Sequence, residues 1–151
     1  MSSRMFQEIR EKRALAYSIY SYNQGFRDIG LFGVYAGTRK ENLENVIGLI
    51  LKELSDIKKN GINMEEMERG KENLKGSLVL SLESSNSRMN YIAKSLFYYD
   101  RIIPIDEICE KMDAVTMDDI VRLANLNFVS NYMNLVVIGD MDSLPVKEIN
   151  I

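Results

Sequence analysis

The sequence of 151 residues contains no histidine. That removes the commonest general base and the commonest zinc ligand from the chain. A Ser-His-Asp triad, a Cys-His pair and every histidine-containing metal motif are excluded within it. Cysteine is nearly absent too: Cys109 stands alone. One cysteine makes no internal disulfide and suits a reducing, cytoplasmic compartment. Basic excess is lacking, since 19 Lys and Arg face 22 Asp and Glu. A nucleic-acid partner would call for a basic face, and an anionic lipid surface for a basic patch. No apolar run approaches the ~20 residues of a membrane span. The opening "MSSRMFQEIR" has no apolar segment of the kind a signal peptide needs.

What is present reads as soluble and globular, with 46% hydrophobic and 27% charged residues. The length fits one domain able to bury a core. The acidic residues are numerous enough for a carboxylate cage, but they lie scattered along amphipathic stretches and read as solvated faces. The nine methionines are scattered as well.

Hydrophobic periodicity divides the chain into helix, strand, strand, a run of helices, and strand. Residues 3–13 form the first helix, capped by Ser2 or Ser3, with Met5, Phe6 and Ile9 as its apolar stripe. "YSIYSYN" (17–23) is aromatic and β-branched, sets Tyr17, Ile19 and Ser21 against Ser18, Tyr20 and Tyr22, and reads as a strand. "NQGFRD" reads as a turn, and "IGLFGVYAGT" (29–38) as the partner strand. Its glycines form no phosphate-binding loop, because neither GxGxxG nor a following Gly-Lys-Ser/Thr is present. Tyr20 and Tyr22, with Phe26, are expected to pack in the core, the alternative being to line a cleft wall.

Thr38 with Glu41 reads as a capping box for a helix whose apolar residues recur at 43, 46, 47, 50, 54 and 57, ended by Gly61. Asn63 with Glu66 repeats the capping logic for a long helix. "SSNS" interrupts that helix and caps "RMNYIAKSLFYYD"; "IDEICEKMDAV" follows Pro104, and Thr116 with Asp119 caps a last helix. Cys109 is expected to be buried in its helix with Ile105 and Ile108. "YMNLVVIGD" (132–140) is a continuous apolar run and reads as a central strand. The fold class is α+β, a mostly antiparallel sheet covered by helices. Three strands make a thin sheet for so many amphipathic faces. The domain therefore looks as though its first strands are missing.

Five segments, taken in order, carry a resemblance. "MSSRMFQEIREKRALAYSIYSYN", "GLFGVYAGTRKENLENVI", "KENLKGSLVLSLESSNSRMNYIAKS", "DAVTMDDIVRLA" and "LVVIGD" resemble the non-zinc domain of the insulinase/pitrilysin family. These are the inverted-zincin metallopeptidases, which include the mitochondrial processing peptidases. The resemblance implies the later part of a C-terminal-type domain, treated as a single domain over 1–151 that lacks its first strands. The family's zinc motif, His-x-x-Glu-His, lies in a homologous N-terminal domain. The chain itself should then hold no zinc and be inactive alone. Its partners would be a zinc-bearing homologous domain or subunit and a peptide substrate, with self-association through an exposed sheet edge.

The resemblance also gives "REKRALAY" a role. Active members of the family place an Arg at the end of this helix and a Tyr at the start of the next strand. Arg10 and Tyr17 occupy those positions, seven residues apart. Both would donate hydrogen bonds to substrate and to the oxygen that gains charge during peptide hydrolysis. Lys12 and Arg13 are expected to face solvent. Family members commonly carry Gly where this chain has Ala16, and Ala fits there unless φ is positive. The bland alternative is ordinary: an Arg favoured by a helix C-terminus, and a Tyr favoured by a strand. At the level of function, the competing reading is a non-catalytic assembly or substrate-recognition module descended from the family.

Overall fold

A computed structural model describes residues 3–141, 143, 144, 146 and 149–151. The N-terminal helix begins at Arg4, and its Phe6 N–H is accepted by the Ser3 hydroxyl. Ser2, the other candidate cap, lies outside the described residues. From Phe6 to Glu11 the helix is a π-helix, not the α-helix expected. The Lys12 N–H reaches back five residues to the Gln7 carbonyl at 2.9 Å. The apolar positions 5, 6 and 9 fit either winding, so the sequence pattern does not separate them. Ile9 is fully buried and Met5 nearly so.

Strands β1 (Ala16–Gly25) and β2 (Gly30–Thr38) pair antiparallel, from Ala16 opposite Thr38 to Gly25 opposite Gly30. The hairpin is longer and its turn tighter than "NQGFRD" suggested. Asn23 and Gln24 stay in the ladder, and the Phe26 N–H to Ile29 carbonyl bond closes the loop at 2.8 Å. The inner face carries Ile19, Val34 and Ala36 onto the core with Met5, Ile9, Val46 and Leu54. Further out on that face, Phe32 meets Phe128 with ring centroids 5.2 Å apart.

Helix α1 (Leu43–Asn60) supplies Val46, Ile47 and Leu54 to the core. It starts after a 3₁₀ turn, Lys40–Asn42, and Thr38 does not cap it. The Thr38 hydroxyl donates instead to the Leu15 carbonyl at 2.6 Å, because Thr38 is still inside β2. The stop is as read: Gly61 has φ 69°, and its N–H bonds the Ile57 carbonyl.

Two compact units are present. The first joins the chain up to Gly61 with Val121 onward and contains the core just described. Within it, Lys58 donates to the Phe128 carbonyl at 2.7 Å, and Arg4 pairs with Asp56 at 2.6 Å. The second is Ile62–Ile120. It contains α2 (Met64–Ser81), α3 (Ser85–Tyr99), α4 (Ile105–Asp113) and the start of α5 (Met117–Asn127). Asn63 and Glu66 form the reciprocal capping box in full. Ser84 caps α3, and Thr116 with Asp119 caps α5. Lys71 holds the α4 terminus through the Asp113 and Val115 carbonyls, both at 2.7 Å. Cys109 is half-buried, less enclosed than expected.

The run 132–140 is not a strand. Ser130–Tyr132 is a 3₁₀ turn, and no ladder follows it. Met133, Leu135 and Val137 are half-buried, while Val136 and Ile138 stand 82% and 96% exposed. The segment keeps a strand's two-residue alternation without a backbone partner. A continuous apolar run signals two buried faces only where the pairing exists to make a sheet.

Candidate functional site at the helix–hairpin junction

The junction is built from two register insertions. Each hydrogen bond of the π-helix spans one residue more than in an α-helix. Its end is closed by nested bonds: Leu15 N–H to the Ile9 carbonyl at 2.9 Å, and Ala14 N–H to the Arg10 carbonyl at 3.0 Å. Each spans one residue more than in the usual left-handed helix cap. Ala14 supplies the left-handed residue, with φ 51°. Ala16, by contrast, has no positive φ, so alanine fits the strand entry.

The second insertion is in β1. Ala16 pairs with Thr38 and Ser18 with Gly37, so Tyr17 is the extra residue of a bulge. Bulges re-aim side chains. Tyr17 is 91% exposed although both its neighbours are at least half covered. Ala16 is buried and Leu15 is held by Thr38, so the chain is fixed on either side of the projecting phenol.

Arg10 sits on the exposed side of the π-helix, where its guanidinium carbon lies 4.8 Å from the Phe6 ring centroid. Among the described residues it has no carboxylate partner. Lys12 and Arg13 do: the Lys12 ammonium pairs with one oxygen of Glu8, and Arg13 Nη1 with the other at 2.5 Å. Arg13 also donates to the Glu8 backbone carbonyl at 2.7 Å. Both basic side chains face solvent, as expected, while paired with Glu8. Hydrogen bonds from Lys12 first, then Arg13, lower the Glu8 carboxyl from its ordinary 4.5 to about 2. The four-residue spacing from Glu8 to Lys12 is an ion-pair signal that the sequence itself carries.

On the outer face of the hairpin the tyrosines are exposed, not core. Tyr20 stacks on its cross-strand partner Tyr35 with centroids 5.1 Å apart, and Tyr22 lies over Gly33. Phe26 is exposed in the loop. Ile19 sets the parity: with Ile19 facing inward, Tyr20 and Tyr22 must face out.

Among the described residues, no group of three or more His, Cys, Asp or Glu is placed to hold a metal ion. With no histidine in the sequence either, the described residues do not fit a zinc site. Nor is any helix among the described residues long and apolar enough to cross a membrane.

A helix, a hairpin and a following helix around one core define an α+β module. Residues 1–74 match the family model described as the peptidase M16 inactive domain. An uncharacterised zinc protease of Streptomyces coelicolor is 42% identical over 141 residues, covering 93% of this chain and 30% of the relative. One of Bacillus subtilis is 38% identical over 145 residues, covering 96% and 35%. The solved structure of a protease from Helicobacter pylori has a TM-score of 0.66 at 26% identity, covering 84% of this chain and 30% of that one. The chain belongs to the insulinase/pitrilysin family of peptidases, as a C-terminal-type domain. It spans about a third of the length of the curated relatives it matches.

Proposed function

We propose that this chain is the non-zinc C-terminal portion of a zinc metallopeptidase, and that it binds peptide and lends Arg10 and Tyr17 to hydrolysis. One observation carries the reading: a bulge turns the Tyr17 phenol out of the strand ladder, and Arg10, seven residues earlier in the chain, is the cation of the helix end that has no carboxylate partner among the described residues. A guanidinium and a phenol are donors without being bases at neutral pH, which suits an oxygen gaining negative charge. The family's zinc supplies carbonyl polarisation and water activation in the homologous half. The task of this chain is to orient peptide along β1, from Tyr17 to Asn23, and to meet the developing charge. Its partners are that zinc-bearing domain or subunit, the peptide, and a second copy through the hairpin edges. The single cysteine supports a cytoplasmic setting.

Steady-state kinetics of Arg10→Ala and Tyr17→Phe, each assembled with the zinc-bearing half, tests the proposal. Both kcat and kcat/KM should fall together, on the order of 10²–10³-fold, while thermal melts stay near wild type. Wild-type turnover from either variant removes that residue from the catalytic pair.

The exposed Tyr20, Tyr22 and Tyr35 favour a second reading, a recognition module without chemistry. In that case both variants bind and assemble normally, and the assembled protein turns over no peptide even with Arg10 and Tyr17 intact.

A further inference from the structure

Helix α1 ends on Asn60–Gly61, the single Asn-Gly step of the sequence. Such a step is chemically labile. Glycine has no Cβ to keep its backbone nitrogen away from the preceding side chain, and asparagine is among the thermolabile residues. Asn60 is exposed, so water reaches it, while Gly61 is buried with φ 69° and ψ −149°. A Cβ at Gly61 would lie 3.2 Å from Val121 Cγ2, on a backbone conformation that favours glycine. The glycine that terminates the helix is therefore also the one that makes Asn60 reactive.

The folded helix end holds the two reacting groups apart. Asn60 Nδ2 donates back one turn to Asp56 Oδ1 at 2.6 Å, and the Gly61 N–H donates to the Ile57 carbonyl at 3.0 Å. Asp56 is fixed in turn by Arg4, whose Nη1 donates to its Oδ2 at 2.6 Å.

We propose that Asn60–Gly61 is a covalent modification site, closed in the folded chain by the Arg4–Asp56–Asn60 lock and opened by fraying of the last turn of α1. In the open turn the Gly61 nitrogen gives its proton to solvent and bonds to Asn60 Cγ. The Cγ–Nδ2 bond breaks, ammonia leaves, and a succinimide ring remains. Water then opens the ring at either imide carbonyl, which gives aspartate or an isoaspartyl link whose backbone runs through the side chain. Either product adds a carboxylate about one turn from Asp56, at the negative end of the helix dipole. The modification thus weakens the turn that prevents it, at the point where the chain passes out of the first compact unit.

The test incubates the full chain at mildly alkaline pH, folded in buffer and unfolded in urea, and follows each asparagine by peptide mapping with mass spectrometry. In urea, position 60 should convert ahead of the other asparagines. Folded, it should convert at least about tenfold more slowly, because local opening then limits the reaction. Asp56→Ala should raise the folded rate about two- to tenfold, the worth of one hydrogen bond in the opening equilibrium. Arg4→Gln should raise it by less, since Asp56 stays in place, and an unchanged rate overturns the part given to Arg4. Asn86, which precedes Ser87 in the first turn of α3, is the internal control and should not change. Where Asp56→Ala folds poorly, the isosteric Asp56→Asn carries the same comparison with a smaller rise. Equal rates folded and unfolded, no acceleration in either Asp56 variant, or equal acceleration at Asn86 overturn the proposal. Asn60→Asp, one of the two products, should lower the urea midpoint with unchanged slope. An unchanged midpoint overturns the claim that the product weakens the helix end.

Discussion

The ring of Tyr22 occupies the space that a side chain at Gly33 would fill: a Cβ on Gly33 would come within 2.4 Å of the Tyr22 Cζ. The two residues are cross-strand partners in the hairpin. Gly33→Ala must push the ring toward solvent. It should cost about 0.2–1 kcal/mol, the usual worth of such a pair. In a Tyr22→Ala background the sign should reverse, because alanine loses less entropy than glycine in a strand, by about 0.5–1 kcal/mol. Urea unfolding of the three variants checks this. A cost that persists without the ring would show that Gly33 serves something other than Tyr22.

Ala14 holds a left-handed conformation with φ 51°, a region where non-glycine residues carry strain. Ala14→Gly should stabilise the chain by about 0.5–1 kcal/mol, the relief of strain outweighing the added freedom of the unfolded glycine. The expected signature is a raised denaturation midpoint with unchanged slope. A lowered midpoint would mean that the nested bonds to Ile9 and Arg10 hold alanine without cost.

Glu8 and Glu107 both have carboxyls lowered from 4.5 to about 2. Lys12 then Arg13 cause the first shift, and Arg101 then Lys111 the second, each through side-chain hydrogen bonds. Between those values the unfolded chain binds more protons than the folded one. Stability from these groups is therefore present above about pH 4.5 and is lost as pH falls toward 2. Both carboxylates are only partly exposed, but their cationic partners reach solvent, so added salt should blunt the effect. Denaturation midpoints taken across acid pH should fall less steeply for Glu107→Gln than for wild type. An identical slope would show that the Arg101 pair contributes nothing in solution.

The ten residues of β1 and nine of β2 contain no charged residue and no proline. Those are the usual guards of a sheet edge. Among the described residues each strand pairs only with the other, which leaves two backbone edges unpaired. Sedimentation at increasing concentration should show self-association, reduced by Gln24→Lys. A strictly monomeric protein at all concentrations would contradict this.

Legibility tracked how local the cause was. Asn63 with Glu66 and Thr116 with Asp119 declare helix starts because cap and partner lie three residues apart and need nothing else. Thr38 with Glu41 has the same spelling, but a distant acceptor, the Leu15 carbonyl, takes the hydroxyl. The run 132–140 has the composition of a strand and the side-chain alternation too, yet a ladder depends on a partner that its own sequence does not encode. Arg10 and Tyr17 could be named from the motif. The bulge that turns Tyr17 outward could not, since a one-residue slip in pairing leaves no mark on composition. The tyrosine face is illegible for a related reason: alternation gives two faces, and only the buried Ile19 says which is inner.

The two insertions that bracket the junction have a consequence for how such a site can change. The surplus residue of the π-turn and the surplus residue of the bulge fall on either side of a short connection, while Ile9 and Ile19 anchor the flanking elements in the core. Each insertion acts as an independent adjustment. Gaining or losing one residue within the helix turn swings Arg10 by about 100°, the arc of one helical position, and need not slide the hairpin. Absorbing the bulge turns the phenol to the opposite face of the strand without rewinding the helix. A lineage of proteins sharing this core could thus retune the reach of either donor by single-residue insertions and deletions, with the interior left as it is.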